Sequence, residues 1–319
     1  MATPLGAMRI ELELDSSKFS SGLNASKKAV NYFKAELDGD GVYSISAELS
    51  FFDIMFNMNV IITTSLRMNH DLILQAREIA EQLNLNYQDR RKRSVQSILA
   101  ETEADAVLVV YQGQLVLEEK NGQRFFFHPD TAILRIKSGR DPLLELLGPD
   151  KQTVLDCTMG LASDSIVLAS AGHQVTALES SQLIHFMVSR GLKEFDSGNE
   201  AVNQAMRYIQ PIWTDSLTYL LTQADQSVDV IYVDPMFSQE IKESDNLNGL
   251  KPFANYSALS EDFLKECRRV AGRKIIIKAH FRDEVFEKFG FERHIRHNQK
   301  FHYGEIILEE NDENFSNRF

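Results

Sequence analysis

Residues 154–181 read VLDCTMGLASDSIVLASAGHQVTALESS, and the order of residue types in this stretch decides the fold. Val154 and Leu155 form an apolar run that ends in Asp156, and a small-residue loop containing Gly160 follows. The spacing predicts a helix from about Ser163 to Ala171, stopped at Gly172. A second strand, residues 174–178, ends in Glu179. Strand, tight loop, helix, strand and acid is the layout of a nucleotide-type cofactor site at the open edge of a parallel sheet. Gly160 has no Cβ, so the backbone there can come close to a ligand. Glu179 lies about 20 residues past the loop, where a carboxylate can take both hydroxyls of a ribose.

The loop chemistry narrows the cofactor. A dinucleotide fingerprint needs G-x-G-x-x-G, because pyrophosphate requires several backbone amides at close range. Only Gly160 stands in this turn, and no G-x-x-x-x-G-K-[ST] run occurs. S-adenosyl-L-methionine carries no phosphate, so one glycine can suffice. The pattern favours a Rossmann-like methyltransferase over a nicotinamide enzyme or an empty βαβ unit.

A second motif, DVIYVDPMF, spans residues 229–237. Residues 230–233 are β-branched or aromatic, as in a buried parallel strand. Proline cannot continue the ladder, so the chain leaves the sheet at Asp234-Pro235. This puts a carboxylate, free carbonyls and the ring of Phe237 at the strand's carboxyl end, the ligand edge of open α/β sheets. An exocyclic base amine is a poor nucleophile, since its lone pair is delocalised into the ring. The Asp234 carboxylate and the Pro235 carbonyl can accept its N–H groups and aim the lone pair at a methyl donor. Phe237 can stack on an extruded base. Such catalysis is mostly positioning of two reactants.

LDCTMGLASDS, LESS, WTDSL, YVDPMF and KPFANYS together resemble the family of ribosomal RNA small subunit methyltransferase J and its Gram-positive relatives, which are class I S-adenosylmethionine-dependent enzymes. FFFHPDTAILRIK, residues 125–137, is similar to the segment that precedes the fold in those relatives. The resemblance covers roughly residues 59–309. It implies cofactor contacts from Asp156, Gly160, Ser163 and Asp164 in the first loop. It implies Glu179 and Ser180 at the ribose, Asp215 and Ser216 near the adenine, and Asp234 at the head of the catalytic loop. It also implies RNA as partner, either small-subunit rRNA or an assembling subunit, and a guanosine amine as target. The chain departs from the enterobacterial pattern at Ser163 and Ser180, both arginine positions there, which bears on the rRNA target more than on the cofactor.

Composition sets bounds on these readings. The chain has 319 residues, of which 43% are hydrophobic, enough for about two domains. Two cysteines, Cys157 and Cys267, are too few for a disulfide scaffold. No stretch of about 18 apolar residues or secretory signal is evident, so a cytoplasmic protein without membrane association is expected. The net charge of −12 argues against a general nucleic-acid binder and keeps a small-molecule or protein amine open as substrate. Phosphate affinity needs only local positive charge. Candidate patches are residues 90–93, Lys137 with Arg140, and Arg273, Lys274, Lys278 and Arg282.

The expected organisation is α/β throughout. A small α/β domain over residues 58–138 holds strands at 60–65 and 106–111, a helix at 70–83, and a hairpin of 114–119 with 123–127. Asp141-Pro142 opens a helix leading into a mostly parallel, seven-stranded Rossmann-like methyltransferase domain, residues 139–310. Its strands are expected near Val154 and Val175 and at 210–213, 228–233, 274–278 and 302–308. A polar tail, residues 311–319, follows. Residues 1–57 sit outside this plan. Residues 8–30 resemble the start of phage tail tape-measure proteins, which keeps a non-catalytic, cofactor-binding interaction module as an alternative.

Other residues invite chemistry less strongly. The histidines form no H-E-x-x-H, and His294 with His297 lacks the partners of a zinc site, so no metal is expected. Cys157 has no base beside it in sequence and reads as a small buried residue, not as a covalent nucleophile. Lys278 can touch an RNA phosphate or the base, or mark an interface or solvent-facing strand end. Tyr256 can cover the substrate pocket or pack in the core.

Overall fold

In a computed structural model, the chain is described over residues 34–37, 43–46, 59–67, 69–235, 259–297 and 299–308. It divides into two units, residues 1–57 and 58–319. In the first, β1 (Lys34–Leu37) pairs antiparallel with β2 (Tyr43–Ser46).

The second unit contains two sheets. One has five strands in the order β4-β3-β5-β6-β7: β3 (Val60–Thr64), β4 (Asn86–Tyr87), β5 (Ala106–Tyr111), β6 (Gln114–Glu119) and β7 (Arg124–Phe125). β3 is parallel to β4 and β5, while β6 and β7 continue antiparallel. Helices α1 (His70–Gln82) and α2 (Val95–Thr102) accompany it. Asn69 and Ser94 cap them by accepting from the N–H groups of Leu72 and Ser97. The hairpin expected to reach residue 127 keeps only Arg124 and Phe125 on its second strand. The chain is diverted there because α3 (Asp130–Ser138) starts immediately after Pro129.

The larger sheet has seven strands in the order β10-β9-β8-β11-β12-β14-β13. These are β8 (Thr153–Asp156), β9 (Gln174–Glu179), β10 (Gln210–Trp213), β11 (Val228–Val233), β12 (Ala271–His280), β13 (Glu292–His294) and β14 (Phe301–Ile307). The first five run parallel, and β14 lies antiparallel between β12 and β13. This is the Rossmann-like α/β architecture expected. The central strands are apolar on both faces, with Leu155, Val230, Ile231, Ile275, Ile276 and Ile277 essentially without exposure, as helices on both sides require.

The helices of this part are α4 (Pro142–Leu147), α5 (Ser163–Ser170), α6 (Gln182–Glu194), α7 (Glu200–Tyr208), α8 (Ser216–Leu221), α9 (Glu261–Val270) and α10 (Val285–Phe289). Asp141, Ser181, Asn199, Asp215 and Ser260 cap five of them through side-chain oxygens. β13 was not anticipated. Three residues carry no readable alternation, and only the pairing with β14 makes them a strand. β12 begins at Ala271, earlier than the isoleucine run suggests, because Val228 pairs with it across a register shift.

The strand order reverses between β8 and β11. In open α/β sheets a ligand binds at that switch point, outside the carboxyl ends of the strands.

Candidate active site

Three acids end three neighbouring strands at this edge: Asp156 on β8, Glu179 on β9, and Asp234 just past β11. The loop between β8 and α5 turns on two positive-φ residues, Gly160 (φ 48°) and Ala162 (φ 60°). A Cβ at Gly160 would lie 3.9 Å from the Thr158 carbonyl oxygen and meet nothing nearer, so the face of this glycine is open. The first N–H groups of α5, at Ser163 and Asp164, point to the same edge without intrahelical acceptors.

Glu179 closes the loop. Its Oε2 accepts from the Gly160 N–H at 3.3 Å and its Oε1 from the Ser181 N–H at 2.8 Å. A carboxylate has about four acceptor sites, so both oxygens retain capacity for the hydroxyls of a ribose. Burial pushes this carboxyl up to about 7 despite the two amide donors. Ser180 follows at the strand end, where its carbonyl accepts from Trp213 Nε1 at 3.0 Å. Asp215 caps α8 through the Thr218 N–H at 2.8 Å, and Ser216 Oγ donates to the Cys157 carbonyl at 2.6 Å. These bonds tie the ends of β8, β9 and β10 together.

Asp156 faces inward. It is 1% exposed; its Oδ2 accepts from Ser165 Oγ at 2.5 Å and its Oδ1 from the Thr158 N–H at 2.9 Å. Its side chain therefore shapes the loop from beneath. Burial pushes its carboxyl up to about 7. Thr158 is the hinge between the two strand ends, since its hydroxyl accepts from the Asp234 N–H at 2.7 Å and faces Asp156 Oδ1 at 3.3 Å. Cys157 is buried, and burial pushes its thiol well up, which leaves no thiolate nucleophile.

Asp234 and Asp164 share one cation. Lys278 Nζ lies 2.6 Å from Asp234 Oδ2 and 3.1 Å from Asp164 Oδ2. The other Asp164 oxygen pairs with Arg135, whose guanidinium also grips Asp141 at 2.8 and 3.1 Å. Burial alone would raise Asp164, but Lys278 and Arg135 together hold it well below the usual carboxylate range. For Asp234, burial and the charge of Asp164 outweigh Lys278, and its carboxyl lies above the usual value. Burial would lower Lys278, yet the two aspartates hold it above the ordinary lysine value, so it stays a cation.

The pairings of two residues of this network escaped sequence reasoning. Arg135 lies inside FFFHPDTAILRIK, but its sequence position gives no hint that it reaches Asp164, 29 residues on. Lys278 does not mark a solvent-facing strand end; it is the counter-ion of Asp234. The signal available for it was a lone lysine closing the isoleucine run of β12. Phe237 and Tyr256 lie outside the described residues, as does KPFANYS. Pro235 is described and follows Asp234, half-buried. Among the described residues no three His, Cys, Asp or Glu side chains are grouped to hold a metal, and no helix is long and apolar enough to cross a membrane.

Comparison with known proteins places the chain in a family. Residues 92–299 match the family described as "Putative SAM-dependent methyltransferase". The chain belongs to this SAM-dependent methyltransferase family. The methyltransferase is 37% identical to the uncharacterized protein YpiP of Bacillus subtilis over 77% of this chain and 98% of that one. It is 22% identical to the ribosomal RNA small subunit methyltransferase J of Desulfotalea psychrophila over 65% of this chain and 82% of that one. With the enzyme of the same name from Hydrogenovibrio crunogenus identity is 30%, over 42% of this chain and 50% of that one. A SAM-dependent methyltransferase structure from Neisseria gonorrhoeae superposes with a TM-score of 0.52 at 17% identity, covering 77% of this chain and 95% of that one, and shows the same fold.

S-adenosylmethionine is thus the cofactor, and it supplies an electrophilic methyl group. The residues present fit it. Gly160 offers an open backbone face, α5 offers N–H groups, and Glu179 offers acceptor capacity, with no phosphate-binding glycine cluster beside them.

Proposed function

We propose that this methyltransferase modifies the exocyclic amine of a guanosine in small-subunit ribosomal RNA. The observation that carries the reading is Asp234, a carboxylate at the switch-point strand end, tied through Thr158 to the cofactor loop and held at one oxygen by Lys278. The second oxygen and the Pro235 carbonyl remain as acceptors for the two N–H bonds of an amine. Its lone pair then points at the methyl carbon, and catalysis is alignment in a partly dry site. With the methyl donor bound, the N–C bond would form as the sulfonium S–CH3 bond broke, its electron pair going to the sulfur of the departing S-adenosylhomocysteine, and the methylated amine would shed a proton. Asp234, with its raised proton affinity, accepts it. The names of the relatives, ribosomal RNA small subunit methyltransferase J, support RNA as the substrate class.

In this reading Glu179 and Ser180 hold the ribose, and Asp215 and Ser216 lie at the adenine. Gly160 and the backbone of Ser163 and Asp164 receive the amino-acid portion, while Asp156 sets the loop. Phe237 stacks on the base.

The test has two stages. Titration calorimetry with S-adenosylhomocysteine should give micromolar binding to the wild type and to Asp234→Ala. Tritiated methyl transfer to small-subunit rRNA from a strain lacking the enzyme should then fall by about 100-fold or more in the variant. Cofactor binding without label in rRNA overturns the substrate assignment. Full turnover by Asp234→Ala overturns the role of that residue.

A further inference from the structure

One segment breaks with the acidity of this chain. Residues 293–304, RHIRHNQKFHYG, contain Arg293, Arg296 and Lys300 and no carboxylate, although the chain carries a net charge of −12. The topology puts this segment beside the active site. β13 is antiparallel to β14, which is antiparallel to β12, so β13 points the same way as the parallel strands. The link from β13 to β14, residues 295–300, therefore leaves the sheet at the carboxyl edge where Asp156, Glu179 and Asp234 end their strands. The Phe281 N–H donates to the Lys300 carbonyl at 2.9 Å and pins the end of β12 to this link.

A line of contacts runs outward from Asp234 as far as Arg282. Its partner Lys278 has Nζ 5.9 Å from the centre of the Phe301 ring. Phe301 stands edge-on to His280 at 6.1 Å, and His280 lies 4.6 Å from Phe281. The Arg282 guanidinium sits 5.0 Å over the Phe281 ring, and that of Arg296 5.5 Å over Tyr303. Phe281, Arg282 and Lys300 are exposed. Arg293 is instead a strut, bonded to His302, to Glu287 and to the Phe281 carbonyl. Strand spacing places the β14 end of this ridge about 10 Å from Asp234.

We infer that the ridge formed by Phe281, Arg282, Arg296, Lys300 and Phe301 is the docking surface for the single-stranded RNA that flanks the target base. This rests on the RNA reading proposed above. A base amine reaches Asp234 only when the base is unstacked, so the neighbouring backbone must follow the carboxyl edge of the sheet. An acidic protein repels that backbone everywhere except where cations cluster. Phosphates pair with the cations, and an exposed aromatic ring accepts a neighbouring base of any sequence by stacking.

The experiment is a salt titration of the full chain with fluorescein-labelled single-stranded RNA, read by anisotropy. Arg282→Gln combined with Lys300→Gln should lower the slope of log affinity against log salt by roughly 1.4, about 0.7 per lost phosphate contact. Phe281→Ala should weaken binding roughly 5- to 100-fold. Neither should alter S-adenosylhomocysteine affinity in calorimetry, which also reports that the variants are folded. Arg91→Gln with Lys92→Gln, in the link between β4 and α2, should leave the slope unchanged. An unchanged slope in the ridge variant, or a loss confined to the Arg91 and Lys92 variant, overturns the ridge. Methyl transfer to RNA at wild-type kcat/KM by the ridge variants does the same while leaving the RNA reading intact. Cofactor binding with no RNA binding by the wild type removes both.

Discussion

Lys278 Nζ sits 2.6 Å from Asp234 Oδ2 and so fixes one oxygen of the acid that ends the central strand. A carboxylate free to rotate can offer either oxygen to a substrate. One pinned by an ammonium group offers a defined lone pair. The same ammonium is 3.1 Å from Asp164, and Arg135 holds Asp164 from the other side. A chain of alternating charges thus connects α3, the start of α5, and the ends of β11 and β12. The pairs are less than a third exposed, so solvent screens them only in part.

Removing Lys278 tests this directly. Lys278→Met keeps the length of the side chain but leaves Asp234 and Asp164 facing each other without their shared cation. Stability should fall by about 3 kcal/mol or less, since the pair is not fully buried. The Asp234 carboxyl should rise further, moving the acidic limb of the pH–rate profile to higher pH. Methyl-transfer rates from pH 6 to 9 would reveal the shift, and Lys278→Arg should restore part of it. A variant with an unshifted profile would mean that Lys278 serves packing alone.

Glu179 predicts a pH-dependent affinity. Its carboxyl stands near 7, and in the role proposed above the ribose hydroxyls would donate to its ionised form. Binding therefore releases a proton below about pH 7, and affinity for S-adenosylhomocysteine should rise from pH 6 to pH 8 and then level off. Glu179→Gln should weaken binding roughly 10- to 100-fold, as for hydrogen bonds to a charged acceptor, and flatten the pH dependence. Trp213 is the only tryptophan in the chain and bonds the Ser180 carbonyl, so its fluorescence offers the readout.

Asp156 predicts the pH dependence of stability. Its folded carboxyl is raised to about 7, so the native state retains a proton that the unfolded chain loses near pH 4. Stability from this group is present below that value and is lost as pH rises through 7. The melting temperature of the cofactor-free protein should fall between pH 5 and 8. Asp156→Asn, which cannot ionise, should reduce the slope. An identical slope in the variant would show that other groups control it.

Gly191 predicts a packing defect. A Cβ at this position of α6 would lie 2.2 Å from Cγ of Phe127, the buried ring that follows β7. Alanine normally favours a helix interior over glycine by about 1 kcal/mol. Here the overlap should dominate, with a net loss of about 1–3 kcal/mol. Thermal melts of Gly191→Ala should show a drop of several degrees, and Phe127→Leu in the same chain should recover part of it.

The sequence by itself determined the strand, loop, helix and strand of residues 154–181, the strand ending at Asp234-Pro235, and hence the cofactor class. These are local signals, because turn chemistry and apolar periodicity act over a few residues. β5 and β6 coincide with their expected ranges for the same reason. Glu179 was legible because its distance from the loop is set by one βαβ unit. The partners of Asp234 were not legible. Lys278 is 44 residues away, Asp164 is 29 residues from Arg135, and nothing in local spacing encodes those pairings. Likewise β13 exists only through its pairing with β14, and the inward turn of Asp156 toward Ser165 depends on the fold bringing the first turn of α5 to the end of β8. Tertiary structure decided these because ion pairs and strand ladders join whichever groups the folded sheet brings within hydrogen-bonding distance, however far apart they lie along the chain.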